Sequence, residues 1–312
     1  MIPLFQFKAA LRFLKYIFIA VLACLVVLSS CVGCISKPSV VAEDIINVVA
    51  AENFWGNIAA QLGGIHIQVT SLVNSPSADP HEYETTTADA RTIVQANYVI
   101  LNGAGYDSWG QKLLDANPVS GRKVLDVATF LGKKQGDNPH FWYNPDYIDR
   151  VADQITRDYQ ELNPYYAEYY AQQHTSFEDA MAQYYQLITA IKQDYSGTKI
   201  GATESIFAYM ADALGLDLIT PPAFLNATAA STDPPVPAVV LFQQQIDEKQ
   251  IAVLIYNSQT TTSITTNIRQ LAESADIPVM GVTETIVPPD ASFQSWQVKQ
   301  LQELQNALSS QY

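Results

Sequence analysis

Apolar positions along the chain alternate between strand-like runs and helical spacings, and this alternation is the first clue to the fold. The run at 45–50 (Ile-Ile-Asn-Val-Val-Ala) is apolar and β-branched, as a buried strand requires. From Ala51 the apolar residues shift to helical spacing as far as Leu62, where Gly63-Gly64 stops them. Positions 65–72 alternate and predict a second strand, 88–96 a helix, and 98–102 another buried strand. Parallel neighbours need a crossover, so strand and helix repeating at this spacing predict parallel βαβ units.

Between 145 and 195 the pattern is helical only. Asn144-Pro145-Asp146 opens one segment and Asn163-Pro164 punctuates it; 165–194 then carries apolar and aromatic residues at helical spacing with no Gly or Pro. A helix of that length is about 45 Å long, too long for one small domain to cover, which predicts a strut spanning two. The alternation then resumes: strand 199–203, helix 206–214, an irregular proline-rich stretch 221–237, helix 239–248, strand 252–256, helix 263–275, strand 279–282 and a terminal helix 293–308. The expected fold is α/β, with two βα lobes of parallel sheet joined by a long rigid backbone helix. The N-terminal lobe is expected over 45–145, the linking helices over 146–195 and the C-terminal lobe over 196–312.

The first residues point to export. Lys8, Arg12 and Lys15 are the only charges among the first thirty residues, and the apolar run 16–28 follows them. That run is shorter than the ~20 residues of a spanning helix and fits the core of a signal peptide. Leu28-Ser29-Ser30-Cys31 resembles a lipobox cleaved before Cys31. The expectation is a lipoprotein signal peptide over 1–30, a lipid on Cys31 and a Ser/Pro-containing tether over 31–44; an uncleaved anchor is the competing reading. Cys24, Cys31 and Cys34 are the only cysteines, so the chain from about residue 45 has neither disulfide nor thiolate metal site. Losing the leader removes three positive charges and no negative ones, taking the formal charge from −14 to −17. So acidic a chain is unsuited to nucleic acid, which needs clustered Lys and Arg. The residues beyond the tether, about 270, suffice for two modest cores.

Candidate chemistry rests on four histidines. His66 lies in the alternating run 65–69 and His174 among Gln172, Gln173 and Thr175, and both read as ordinary strand and solvated-helix residues. His81 and His140 differ. Each follows a proline, in Asp79-Pro80-His81-Glu82-Tyr83-Glu84 and Asn138-Pro139-His140-Phe141-Trp142, on loops after βα segments. Loops at the carboxyl ends of parallel strands are where open α/β sheets bind ligands. A preceding proline stiffens the backbone, so the imidazole loses less freedom on binding. Glu204, in Thr203-Glu204-Ser205, sits where a strand ends and a helix begins; it is a candidate ligand or a helix-start acid favoured by the helix dipole.

The two proline–histidine motifs resemble the signatures of the metal-binding (zinc/manganese) solute-binding lipoproteins of ABC transporters, the cluster A-I type. The likeness extends through the lipobox, the opening strand, the strut, Gly201-Ala202-Thr203-Glu204-Ser205-Ile206-Phe207-Ala208-Tyr209 and Tyr256-Asn257. It implies a metal site between the lobes, with His81 and His140 from the first lobe and Glu204 as the first ligand from the second. The fourth ligand is either Glu284, in the matching setting Thr283-Glu284-Thr285, or Asp290, whose register before Ser292-Phe293 is off by one; Glu284 is favoured. The resemblance also implies Zn2+ or Mn2+ as cargo rather than catalytic cofactor, and a membrane permease as partner of a monomeric, lipid-anchored carrier on the extracytoplasmic face. Imidazole and carboxylate form a borderline N/O site suited to either ion. Because imidazoles bind metal when neutral, affinity is expected to fall as pH drops through about 6.5. The segment 132–137 (Gly-Lys-Lys-Gln-Gly-Asp) lacks the His-rich loop of many zinc-type members, and Glu204 replaces their histidine.

Two other classes compete. A secreted zinc hydrolase would use His81, His140 and Glu204 around an open metal position, with Glu82 or Glu284 as base. No His-Glu-x-x-His helix or Gly-x-Ser-x-Gly elbow is present to support it. A surface adhesin is the third reading. The sequence expects no enzyme.

Overall fold

The computed structural model describes residues 45–76, 80–230 and 232–310; the leader, the tether and Cys31 lie outside the described residues. The opening strand is β1, Ile46–Glu52, which runs directly into helix α1, Asn53–Gly63. Gly64 follows with φ +53, and a side chain there would meet the Tyr169 hydroxyl at 2.1 Å, so glycine ends the helix for two reasons. Strand β2, Ile67–Val73, helix α2, Thr87–Gln95, and strand β3, Tyr98–Leu101, stand within two residues of their expected bounds. Helix α2 opens on a capping box between Thr86 and Asp89.

Between β3 and residue 145 the sequence reading places no element, and the structure has three. Helix α3, Ser108–Ala116, buries only Gly110, Leu113 and Leu114, and β4, Lys123–Asp126, buries only Leu125, so neither carries a strong apolar pattern. A four-residue helix α4, Val127–Phe130, follows β4. The first sheet is all parallel, in the order β2-β1-β3-β4.

Three helices leave this lobe: α5, Pro145–Leu162; α6, Ala167–Ala180; and α7, Ala182–Tyr195. The single helix expected over 165–194 is therefore two helices after a 3-10 turn at Pro164–Tyr166, divided at Met181 (φ −77, ψ −8). The division falls where the packing partner changes. Helix α6 packs on α1 and α5, whereas α7 packs on C-terminal helices α8, Ala208–Leu214, and α12, Phe293–Ser309.

The second sheet has strands β5, Lys199–Ala202, β6, Asp217–Leu218, β7, Leu254–Asn257, and β8, Val279–Val282. Its order, β6-β5-β7-β8, is parallel throughout and repeats that of the first sheet. The proline-rich stretch expected to be irregular contains helix α9, Pro222–Ala229, with proline in its first turn, where the missing N–H costs nothing. Helices α10, Val236–Asp247, and α11, Ser263–Ser274, complete the lobe. A continuous apolar core runs through both lobes and includes Trp55, Trp142, Phe207 and Trp296. Among the described residues, no helix is long and apolar enough to cross a membrane.

Candidate metal centre

Every residue of the site follows the carboxyl end of a strand. His81 comes after β2, in a 3-10 turn at Pro80–Glu82. The indole N–H of Trp109 donates to the Pro80 carbonyl at 2.9 Å and pins that turn, while the Tyr106 ring stands 4.4 Å from the imidazole, edge to face. Asp79, the first residue of this motif, lies outside the described residues.

His140 is 1% exposed and lies beyond β4, with Trp142 at 5.3 Å. Its loop is held from below by Asn102, whose amide donates to the Pro139 carbonyl at 2.9 Å and accepts from Trp55 at 3.0 Å. The ring's Nδ1 meets Asn138 Oδ1 at 2.7 Å. The orientation of that amide is fixed independently: Asn138 Oδ1 accepts from the His140 backbone N–H and Nδ2 donates to the Ser205 carbonyl. The proton therefore sits on Nδ1, and Nε2 keeps a lone pair that is buried with no hydrogen-bond partner. This is the tautomer a metal requires.

Glu204 and Glu284 arrive from the other lobe, two residues past the ends of β5 and β8. Glu204 Oε1 lies 3.7 Å from His140 Nε2, and Glu284 Oε2 lies 3.7 Å from His81 Nε2. His81, His140 and Glu284 each offer a ligand atom within 4.8 Å of the other two. Glu204 stands outside that mutual set and meets it at His140 and through Asn257, which donates to Glu204 Oε1 at 3.1 Å and to Glu284 Oε1 at 2.6 Å. Asp290, the competing fourth ligand, is exposed on the loop before α12, whereas Glu284 is fully buried.

Glu284 is held from every side by neutral donors. Tyr106 donates to Oε2 at 2.6 Å and Thr260 to Oε1 at 3.2 Å. Gln259 Oε1 accepts the backbone N–H groups of Glu284 and Thr285, at 2.6 and 2.9 Å. Tyr106 in turn depends on the turn Gly103-Ala104-Gly105, three successive residues with positive φ. A side chain at Gly103 would meet Asp126 Oδ1 at 2.6 Å, and Asp107 braces the turn by accepting the Asn102 and Gly103 N–H groups. Burial lifts the Asp107 carboxyl to about 6 against those two donors.

His140 and Glu52 also depart from their ordinary ranges. Burial, reinforced by neighbouring His81, holds His140 well below 6.5. His140 therefore stays neutral to a lower pH than an ordinary imidazole. Glu52, the last residue of β1, is fully buried, and neither carboxyl oxygen has a hydrogen-bond partner. Burial first, then the charges of Asp107 and Glu284, push its carboxyl well above the usual range.

The other histidines play no part in the site. His66 is not on the strand but in the 3-10 turn before it, 6% exposed and stacked on Tyr166 at 3.6 Å. Its apolar neighbours place it in the packing rather than toward solvent. His174 faces Asp153 of α5 at 3.0 Å. Sequence reasoning gave Tyr106 and Glu52 no role in the site, and Asn257 entered only within Tyr256-Asn257 as part of the resemblance.

Two parallel-sheet lobes thus bring imidazoles from one and carboxylates from the other to a common centre. Residues 48–307 match the family described as ZnuA, zinc-uptake complex component A, periplasmic, and the chain belongs to that family. It is 23% identical over 197 residues to the manganese-binding lipoprotein MntA of Halalkalibacterium halodurans, covering 60% of this chain and 64% of that protein. It is 26% identical over 207 residues to the manganese ABC transporter substrate-binding lipoprotein PsaA of Streptococcus pneumoniae, covering 59% and 63%. In both cases the matched stretch is under two thirds of the relative's length. The fold is shared with the manganese-bound periplasmic metal binding protein of Candidatus Liberibacter asiaticus, with TM-score 0.70, 19% identity and coverage of 86% and 100%. A crystal structure of ZnuA gives TM-score 0.66, 21% identity and coverage of 85% and 99%.

Proposed function

We propose that this protein captures one divalent transition-metal ion, zinc or manganese, outside the cytoplasm and delivers it to the membrane permease of an ABC importer. The cargo is held by His81, His140, Glu204 and Glu284, and the chain works as a monomer anchored through a lipid on Cys31. The observation that carries the reading is the buried Nε2 of His140, which has no hydrogen-bond partner and lies 3.7 Å from the Glu204 carboxylate of the other lobe. A buried acceptor without a donor is costly, and a metal ion supplies what it lacks. Two imidazoles and two carboxylates suit both ions and disfavour soft Cu(I). Family membership and the names of the relatives agree with this cargo.

Metal analysis of the purified protein with zinc and manganese titrations tests the reading. One tightly held ion per chain is expected, bound stoichiometrically and without turnover. His81→Ala and His140→Ala should each weaken binding by more than about 100-fold, beyond the range of outer-shell losses. Uptake of neither ion above background would end the proposal. Cys31→Ala should move the protein to the soluble fraction, and retention in the membrane would instead support an uncleaved leader.

A further inference from the structure

Helix α1 presents three amides on one face, at positions i, i+4 and i+8, and all three reach the segment that follows Glu284. Asn53 accepts the Ile286 backbone N–H at 3.0 Å and donates to the Ile286 carbonyl at 3.5 Å. Asn57 does the same one turn on, accepting the Phe293 N–H at 2.8 Å and donating to the Ala291 carbonyl at 3.3 Å. Gln61 pairs side chain to side chain with Gln294, donating at 3.0 Å and accepting at 2.8 Å. Gln61 also donates to Asn57 Oδ1 at 2.7 Å, linking two rungs.

The ladder therefore joins the first lobe to residues 286–294 of the second. Asn53 and Gln294 are more than nine-tenths buried, as are Ile286 and Phe293. Each amide uses both its donor and its acceptor, so a slip of one residue would leave several buried polar groups unpaired. None of these groups reaches the metal centre. Their common effect is on Glu284, two residues before Ile286.

We infer that Asn53, Asn57 and Gln61 are positioning residues for metal capture: they fix the strap 286–294 to the first lobe, so that Glu284 faces His81 and His140 before the ion arrives. This rests on the metal-capture reading above. A binding-competent arrangement populated only part of the time weakens apparent affinity by that fraction. Loosening the ladder therefore raises the dissociation constant and speeds release while every ligand remains in place.

The test uses Asn57→Leu and Gln61→Leu in the full chain, loaded with zinc or manganese alone. Dissociation constants are measured by titration, release rates by transfer to a chelator, and melting temperatures with and without metal. Each variant is expected to bind about tenfold more weakly and release correspondingly faster, within the range of ordinary coupling between sites. Gln61→Glu should weaken binding likewise, and Gln61→Glu with Gln294→Lys should recover most of it by rebuilding the pair. Unchanged affinity and release in both leucine variants, with only a lower melting temperature, would make the ladder a brace of the fold and overturn the inference. So would failure of the paired exchange to recover any binding in a folded protein. If the wild-type chain itself binds neither ion, it is the functional reading that fails, and the wild-type control separates the two.

Discussion

Replacing Asn138 by leucine tests whether the His140 tautomer is set by its neighbour. The Asn138 side chain makes three hydrogen bonds: from the His140 ring at 2.7 Å, from the His140 backbone at 3.2 Å, and to the Ser205 carbonyl at 2.9 Å. Leucine keeps the approximate volume and deletes all three. The imidazole then has no acceptor holding its proton on Nδ1, so Nε2 no longer offers a lone pair in every molecule. Outer partners of metal-ligating histidines are worth 10–100-fold in affinity, about 1.4–2.7 kcal/mol. Folding suffers separately, by about 1 kcal/mol for each neutral bond lost. Asn138→Asp divides the two effects. Its carboxylate still accepts from both His140 groups but has no donor for Ser205, so metal affinity should stay at or above that of wild type while the metal-free protein loses about 1–3 kcal/mol. Calorimetric titration with zinc and manganese, alongside scanning calorimetry of the metal-free forms, measures both. The reasoning is refuted if Asn138→Leu binds both ions within about twofold of wild type, or if Asn138→Asp loses as much affinity as Asn138→Leu.

Glu52→Gln should flatten one limb of the pH–stability curve of the metal-free protein. Unfolded Glu52 releases its proton near 4.5 while the buried carboxyl keeps it, so wild-type stability falls as pH rises above that value. The variant escapes this loss and gains about 1.4 kcal/mol on wild type per pH unit until the folded carboxyl ionises; parallel melting curves across the range would count against it. Tyr106→Phe removes the 2.6 Å donor to Glu284. Leaving that buried acceptor one donor short costs about 1–3 kcal/mol in the metal-free state, and the deficit should shrink once an ion engages the carboxyl group. An equal loss with and without metal would place the hydroxyl outside the site's chemistry.

Legibility in the sequence followed the strength of the local signal. Strands β1 and β3 were readable because they are apolar runs buried at almost every position, β8 because it is an unbroken short apolar run, and His81 and His140 because proline and aromatic neighbours mark them. Glu284 was chosen over Asp290 by analogy of setting with Glu204, and the structure separates the two acids by burial. Strand β4 escaped because only Leu125 is buried in it, and the division at Met181 because continuous helical spacing continues across it. The partners that shape the site were invisible for another reason. Tyr106 meets Glu284 across 178 positions and Asn57 meets Phe293 across 236, so neither pairing leaves any local periodicity to detect.

The kind of donor that holds Glu284 bears on how an empty carrier keeps its site. An arginine or lysine beside that carboxylate would fix it equally well but would also cancel its charge. Here the hydrogen bonds come from the neutral groups of Asn257, Thr260 and Tyr106, and no Lys or Arg pairs with Glu284 among the described residues. A negative charge on Glu284 is therefore met by no lysine or arginine among the described residues. Burying such charge costs several kcal/mol per group unless a cation offsets it. Neutral donors thus keep Glu284 in position without removing its charge as a reason for a cation to bind.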